Sequence, residues 1–134
     1  MRAILASTLL PLAMAGCAGT TATSSSPPPE VYSAFRELTE AEKKIIADGV
    51  AKGLKDPDSA HFQWNAYPVS TTDSVFYCAK LNSKNSYGGY VGFSPYIAEV
   101  MQPGGKIRRA DLISTDSTYP MVIEAECKKR GLRP

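Results

Sequence analysis

One histidine, three cysteines, a group of aromatic residues among glycines and a scatter of aspartates are the parts of this 134-residue chain with chemistry available to them. A lone His61 argues against a histidine relay and against a multi-histidine metal site, and no Cys, Asp or His cluster falls at ligand spacing around it. No catalytic residue, metal ligand or cofactor is therefore expected, and His61 reads as capping or filling a helix-to-strand connection beside Phe62. Asp56, Asp58, Asp73, Asp111 and Asp116 fall in expected turns or at element ends, where aspartate serves as cap and turn former. A glycosidase-like carboxylate pair has nothing in the spacing to favour it. Tyr87, Tyr90, Phe93 and Tyr96 surround Gly88, Gly89 and Gly92, residues that permit positive φ or close backbone approach. Two readings stay open for these aromatics: stacking platforms of a binding surface for a glycan or a partner protein, or a hairpin whose rings cover the core. The glycines do not form a phosphate loop, since Gly-Lys-Ser/Thr and a strand-to-helix setting are missing.

The N-terminal residues divide into the parts of an export signal. Arg2 supplies a positive start, Ala3 to Ala15 an apolar run, and small residues lead to a processing site. The run is short of the roughly 20 apolar residues that span a membrane. Met14-Ala15-Gly16-Cys17 resembles the lipobox of bacterial lipoproteins, with Met14 in place of the usual leucine. The resemblance implies a signal peptide over 1–16 and a Cys17 whose thiol receives the lipid. Acyl chains, at about 0.8 kcal/mol for each buried methylene, then anchor the protein to a membrane. By analogy with Gram-negative lipoproteins, the absence of Asp at position 18 implies the outer membrane, facing the periplasm. Residues 17–29 continue as AGTTATSSSPPP after the cysteine, a segment without aromatic or charged residues that reads as a flexible, proline-stiffened tether.

With Cys17 assigned to lipid, Cys78 and Cys127 remain. Outside the cytoplasm thiols are normally paired, so a Cys78–Cys127 disulfide is expected. It would close a loop of about 50 residues and stabilise by roughly 3 to 4 kcal/mol. A redox role is disfavoured because the pair lacks Cys-x-x-Cys spacing.

Residues 30–134 must position these groups, and they suffice for one small domain. Thr39-Glu40-Ala41-Glu42 has the form of a capping box, and Ile46, Val50 and Leu54 make an apolar stripe that predicts a helix through about Leu54. Pro57 marks its end. Phe62, Trp64 and Ala66 alternate as a half-buried strand, and Val75, Tyr77, Ala79 and Leu81 as a second. Tyr90 to Val100 predicts a third strand, with Pro95 at an edge or bulge, and Lys106 to Ser114 a fourth after Pro103-Gly104-Gly105. Pro120 suits the first turn of a last helix, Gly131 its C-terminal cap, and Lys128, Lys129 and Arg130 its solvated basic end. The expected class is α+β: an N-terminal helix, an antiparallel sheet of three to four strands, a C-terminal helix and one disulfide, with both helices on one face of the sheet. Fifteen basic and 13 acidic residues give a net charge of +2, too balanced for a nucleic-acid partner.

The stretch from Tyr77 to Phe93, with its Asn-rich turn and Gly88-Gly89-Tyr90, is similar to a motif of small, uncharacterised bacterial and phage-borne lipoproteins. Lys55-Asp56-Pro57-Asp58-Ser59-Ala60-His61-Phe62 fits the same pattern. The resemblance implies an architecture and no reaction. Three functional readings follow. The first is an envelope lipoprotein with a non-enzymatic binding or structural role. The second is a small cell-wall or glycan hydrolase, and the third a prophage-encoded exclusion or accessory lipoprotein.

Overall fold

The computed structural model describes residues 30–134, so the export signal, Cys17 and the tether lie outside the described residues. In chain order come β1 (Phe35–Arg36), α1 (Glu40–Ala51), β2 (His61–Gln63), β3 (Tyr67–Pro68), β4 (Ser74–Asn82), β5 (Ser94–Met101), β6 (Arg109–Thr115) and α2 (Pro120–Lys129). Single 3-10 turns at Pro57–Ser59 and Pro103–Gly105 link them. Strands β2, β4, β5 and β6 form one antiparallel sheet in that order, and β1 pairs with β3 in a separate two-stranded ribbon. The α+β class, the antiparallel sheet and the terminal helices are as the sequence predicts.

Helix α1 starts where its capping chemistry says it should. The Thr39 hydroxyl accepts from the Glu42 N–H at 3.3 Å, and the Glu42 carboxylate accepts from the Thr39 N–H at 2.9 Å. Arg36 adds two parallel bonds to the same carboxylate, at 2.7 and 2.9 Å, tying β1 to the helix. These Arg36 bonds, with help from Thr39, hold the Glu42 carboxyl down at about 2, against an ordinary value of 4.5 and against the opposing effect of burial. A carboxyl with a lowered folded value stabilises fully above its unfolded value, and that contribution disappears as pH falls from 4.5 towards 2. Glu42→Gln is expected to lose about 1–2 kcal/mol at neutral pH, from the cap and a partly exposed ion pair together. Urea titrations of both proteins should show that gap closing through the same acid window.

The sheet has two unequal faces. Val75, Tyr77, Ala79 and Leu81 of β4 share one face with Tyr96, Ala98 and Val100 of β5 and Ala110 of β6, all of them buried. Ile46 and Val50 of α1 are buried too, and the helix approaches β6 so closely that Gly49 abuts the Ala110 backbone and Gly53 the Leu112 side chain. The opposite face carries Cys78 and Ile97, which meet α2 through Ile123 and Cys127. The two helices therefore sit on opposite faces, a correction to the single-face arrangement expected from sequence. Short connections fix which strands are neighbours but not which side a helix returns to. The Cys78–Cys127 bond selects the side, since Cys78 points away from the Tyr77 face.

Other departures have local causes. Helix α1 ends at Ala51 and a turn carries the chain to Leu54, with the Gly53 and Leu54 N–H groups bonding back to Val50 and Ala51. The strand expected over Phe62 to Ala66 stops at Gln63, because Asn65 turns to β4. Its side-chain amide donates to the Cys78 carbonyl at 3.2 Å, while the Tyr32 hydroxyl accepts from the Phe76 N–H at 3.1 Å. These two side chains occupy ladder groups on the stretch of β4 that β2 leaves uncovered, which blunts an edge that would otherwise invite pairing. Strand β5 begins at Ser94, not Tyr90, and it is central rather than an edge. Pro95 is tolerated there because β6 pairs with β5 only from Tyr96 onward, and the bulge lies on β6, where Ile113 has no partner.

Three tyrosines fill the larger core without exposed surface: Tyr67, Tyr77 and Tyr96. The Tyr67 hydroxyl donates to Gln102 Oε1 at 2.9 Å, and Tyr77 both donates to the Asn65 carbonyl and accepts from its N–H, each at 2.9 Å. Tyr96 Oη is buried with no partner among the described residues. Burial raises all three phenols, Tyr77 to about 12. An unpaired buried hydroxyl costs stability, whereas a paired one that is deleted strands its partner. Tyr96→Phe is accordingly expected to stabilise by about 1 kcal/mol, and Tyr67→Phe and Tyr77→Phe to destabilise by about 1–2 kcal/mol. Equal losses at all three positions in urea denaturation would contradict this.

Candidate functional site

The segment between β4 and β5, residues 83–93, turns on Asn85. Its N–H donates to the Gly89 carbonyl, its carbonyl accepts from Gly88, and its side-chain oxygen accepts from the N–H groups of Tyr87 and Gly89, all within 2.9–3.1 Å. Gly88 sits at φ +79°, a conformation that a side chain would strain. These bonds close the tip without the Tyr87 ring, which is 96% exposed. Lys84 and Tyr90 pair across the base of the turn.

This segment is fastened to residues 55–61, the two stretches singled out in the sequence. Ser59 is the joint. Its hydroxyl accepts from the Lys84 N–H at 2.9 Å and donates to the Asp56 carbonyl at 2.8 Å. Its own carbonyl accepts from the Tyr90 hydroxyl at 3.1 Å. Tyr90 also lies 3.3 Å from His61 Nε2, with the two rings 5.5 Å apart, and Lys55 Nζ donates to the Ser86 hydroxyl at 2.6 Å. Sequence reasoning passed over Ser59, because a serine after Pro57 looks like any other turn residue. Only its burial, at 7% exposed, marks it.

The four aromatic residues expected to act together do not share a surface. Tyr87 projects into solvent, while Tyr90 and Phe93 are half-exposed at 46% and 45%. Tyr96 lies in the core against Tyr77 and Phe62 and cannot meet a partner, so it leaves the candidate surface. Burial within β5 takes Tyr96 into the core, and the turn keeps the other three at least partly exposed. Cys78 and Cys127 form the expected disulfide, with Cα atoms 6.1 Å apart.

Beneath the segment lies a cleft of about 370 Å³, bounded by the turn after α1, the 83–94 stretch and the end of β6. Lys55 and Lys84 line it with Ser83, Ser94, Ser117 and Leu54, and no carboxylate does. Asp116 is beside it in sequence, but its carboxylate accepts from the Thr118 and Tyr119 N–H groups at 2.6 and 3.1 Å. Among the described residues no group of three His, Cys, Asp or Glu side chains comes together at metal-binding range. His61 faces Tyr90. At the basic end of α2, Lys129 and Arg130 pair with Glu126, and the Arg130 guanidinium covers the Phe76 ring at 4.5 Å. No helix among the described residues is long and apolar enough to cross a membrane. Searches of family models, curated proteins and solved structures find no match to this chain.

Proposed function

We propose that this chain is a lipid-anchored protein of the bacterial cell envelope, attached through Cys17 to the outer membrane and facing the periplasm. Its folded part is a non-enzymatic binding module, held off the membrane by residues 18–29 and meeting an envelope protein or a glycan through residues 83–93. The anchor rests on the resemblance of Met14-Ala15-Gly16-Cys17 to a lipobox, and a paired Cys78–Cys127 suits an oxidising compartment. The binding role rests on Tyr87: a large aromatic ring on a turn that closes its own hydrogen bonds is of no use to the core, and aromatic side chains are favoured anchors at interfaces.

Two measurements test the two halves of this reading. Cys17→Ser should leave the chain unprocessed and release it from the membrane fraction. Processing and attachment unchanged by that substitution would rule out the lipid anchor. Cross-linking in the native envelope should capture a partner with the wild-type chain and lose it with Tyr87→Ala, whose thermal stability should be unchanged. No capture by the wild type removes the binding role, and capture that survives Tyr87→Ala places it elsewhere.

A further inference from the structure

The cleft under the 83–93 segment differs in chemistry from the turn above it. Two lysines from different segments, Lys55 and Lys84, line it, and neither belongs to an ion pair among the described residues. Lys84 Nζ instead rests 5.8 Å from the centre of the Tyr90 ring, and Lys55 is spent on the Ser86 hydroxyl. Both contacts are to neutral groups and leave the cations uncompensated. Ser83, Ser94 and Ser117 supply hydroxyls that can donate or accept, and Leu54 offers an apolar patch. At about 370 Å³ the cleft falls in the range of small-ligand sites, roughly 300–1,000 Å³.

Each part selects something. Two cations without a carboxylate favour an anion and disfavour a cation or a zwitterion. Hydroxyls in number suit a ligand that is itself rich in hydroxyls. An aliphatic side chain accepts the C–H face of a ring. We infer that the cleft binds an acidic saccharide, a small sugar carrying a phosphate or a carboxylate, with Lys55 and Lys84 on the acidic group and the serines on the sugar hydroxyls. This names a ligand class for the binding module proposed above and rests on that reading, but it uses a different surface of the same segment, so each can fail alone.

The test is calorimetric titration of the full chain in detergent with glucose 1-phosphate and with digalacturonate, against glucose and digalactose as neutral controls. One of the acids should bind at least about tenfold more tightly than its neutral counterpart, and the affinity should fall with added salt. The acid that binds distinguishes phosphate from carboxylate. Lys55→Gln/Lys84→Gln should weaken it by about tenfold or more, each lost charge-assisted bond contributing. Because that pair also touches Ser86 and Tyr90, Ser117→Glu serves as a second variant: it sits on the exposed rim, leaves the fold alone and adds a repelling charge. Tyr87→Ala should bind the acid as the wild type does. Binding of neither acid, equal binding of acid and neutral sugar, or binding untouched by Ser117→Glu would overturn the assignment. Loss of a cross-linked partner in Tyr87→Ala with no sugar binding would leave the turn's role standing without the cleft's.

Discussion

Gly49→Ala is expected to destabilise the domain by about 3 kcal/mol, although alanine is the better helix former by about 1 kcal/mol. An added Cβ at Gly49 would lie 2.0 Å from the Ala110 carbonyl oxygen and 2.9 Å from its carbon. Both are backbone atoms of β6, so no side chain can rotate away, and α1 must lift off the sheet. That movement would loosen Ile46 and Val50, both fully buried. Gly53 repeats the contact more softly, with the Leu112 side chain 2.9 Å from its would-be Cβ. Gly89 serves as the control, because a Cβ there meets only the Asn85 side-chain oxygen at 3.9 Å. Urea midpoints should fall sharply for Gly49→Ala and hardly move for Gly89→Ala. A stabilised Gly49→Ala would mean that α1 stands further from β6 than described.

Removing the disulfide should cost as much by another route. The Cys78–Cys127 bond spans 49 positions, and closing a loop of that size stabilises by roughly 3–4 kcal/mol on the chain-entropy account. For a domain of about 100 residues that corresponds to a fall in Tm of about 15 °C. The effect should also be uneven. On the α1 face the core is continuous from Val75 to Ala110, but α2 buries only Ile123 and Cys127. With the bond absent, little apolar area holds α2 to the sheet. Hydrogen exchange on Cys78→Ala/Cys127→Ala should show the α2 amides opening well before those of α1. Gly131 gives a second view of the same end. It sits at φ +71°, and a Cβ there would lie 2.5 Å from the Tyr32 carbonyl, so Gly131→Ala should free the terminus from the segment around Tyr32 as well. Identical melting of the oxidised wild type and the double alanine variant would show that packing alone secures α2.

What the sequence determined by itself is what near neighbours decide. The capping box at Thr39 and Glu42 fixes the start of α1 within four residues of chain, and its hydrogen bonds form as expected. The alternation of Val75, Tyr77, Ala79 and Leu81 gives β4 because only one face of it is fully apolar. The cysteine pairing was legible by counting, and a turn over Asn82 to Gly89 by composition, although β4 runs on through Asn82. Tertiary structure decided the rest. Strand β5 is buried on both faces from Pro95 to Ala98, so alternation carries no signal there, and Tyr96 could not be told from the exposed aromatics before it. The placement of α2 on the second face, the role of Ser59 as a joint and the presence of Lys55 and Lys84 along one cleft all depend on contacts between segments dozens of residues apart. Such contacts are selected by packing and covalent closure after the local elements exist, and a pattern of period two or 3.6 records which residues face inward without recording what they face.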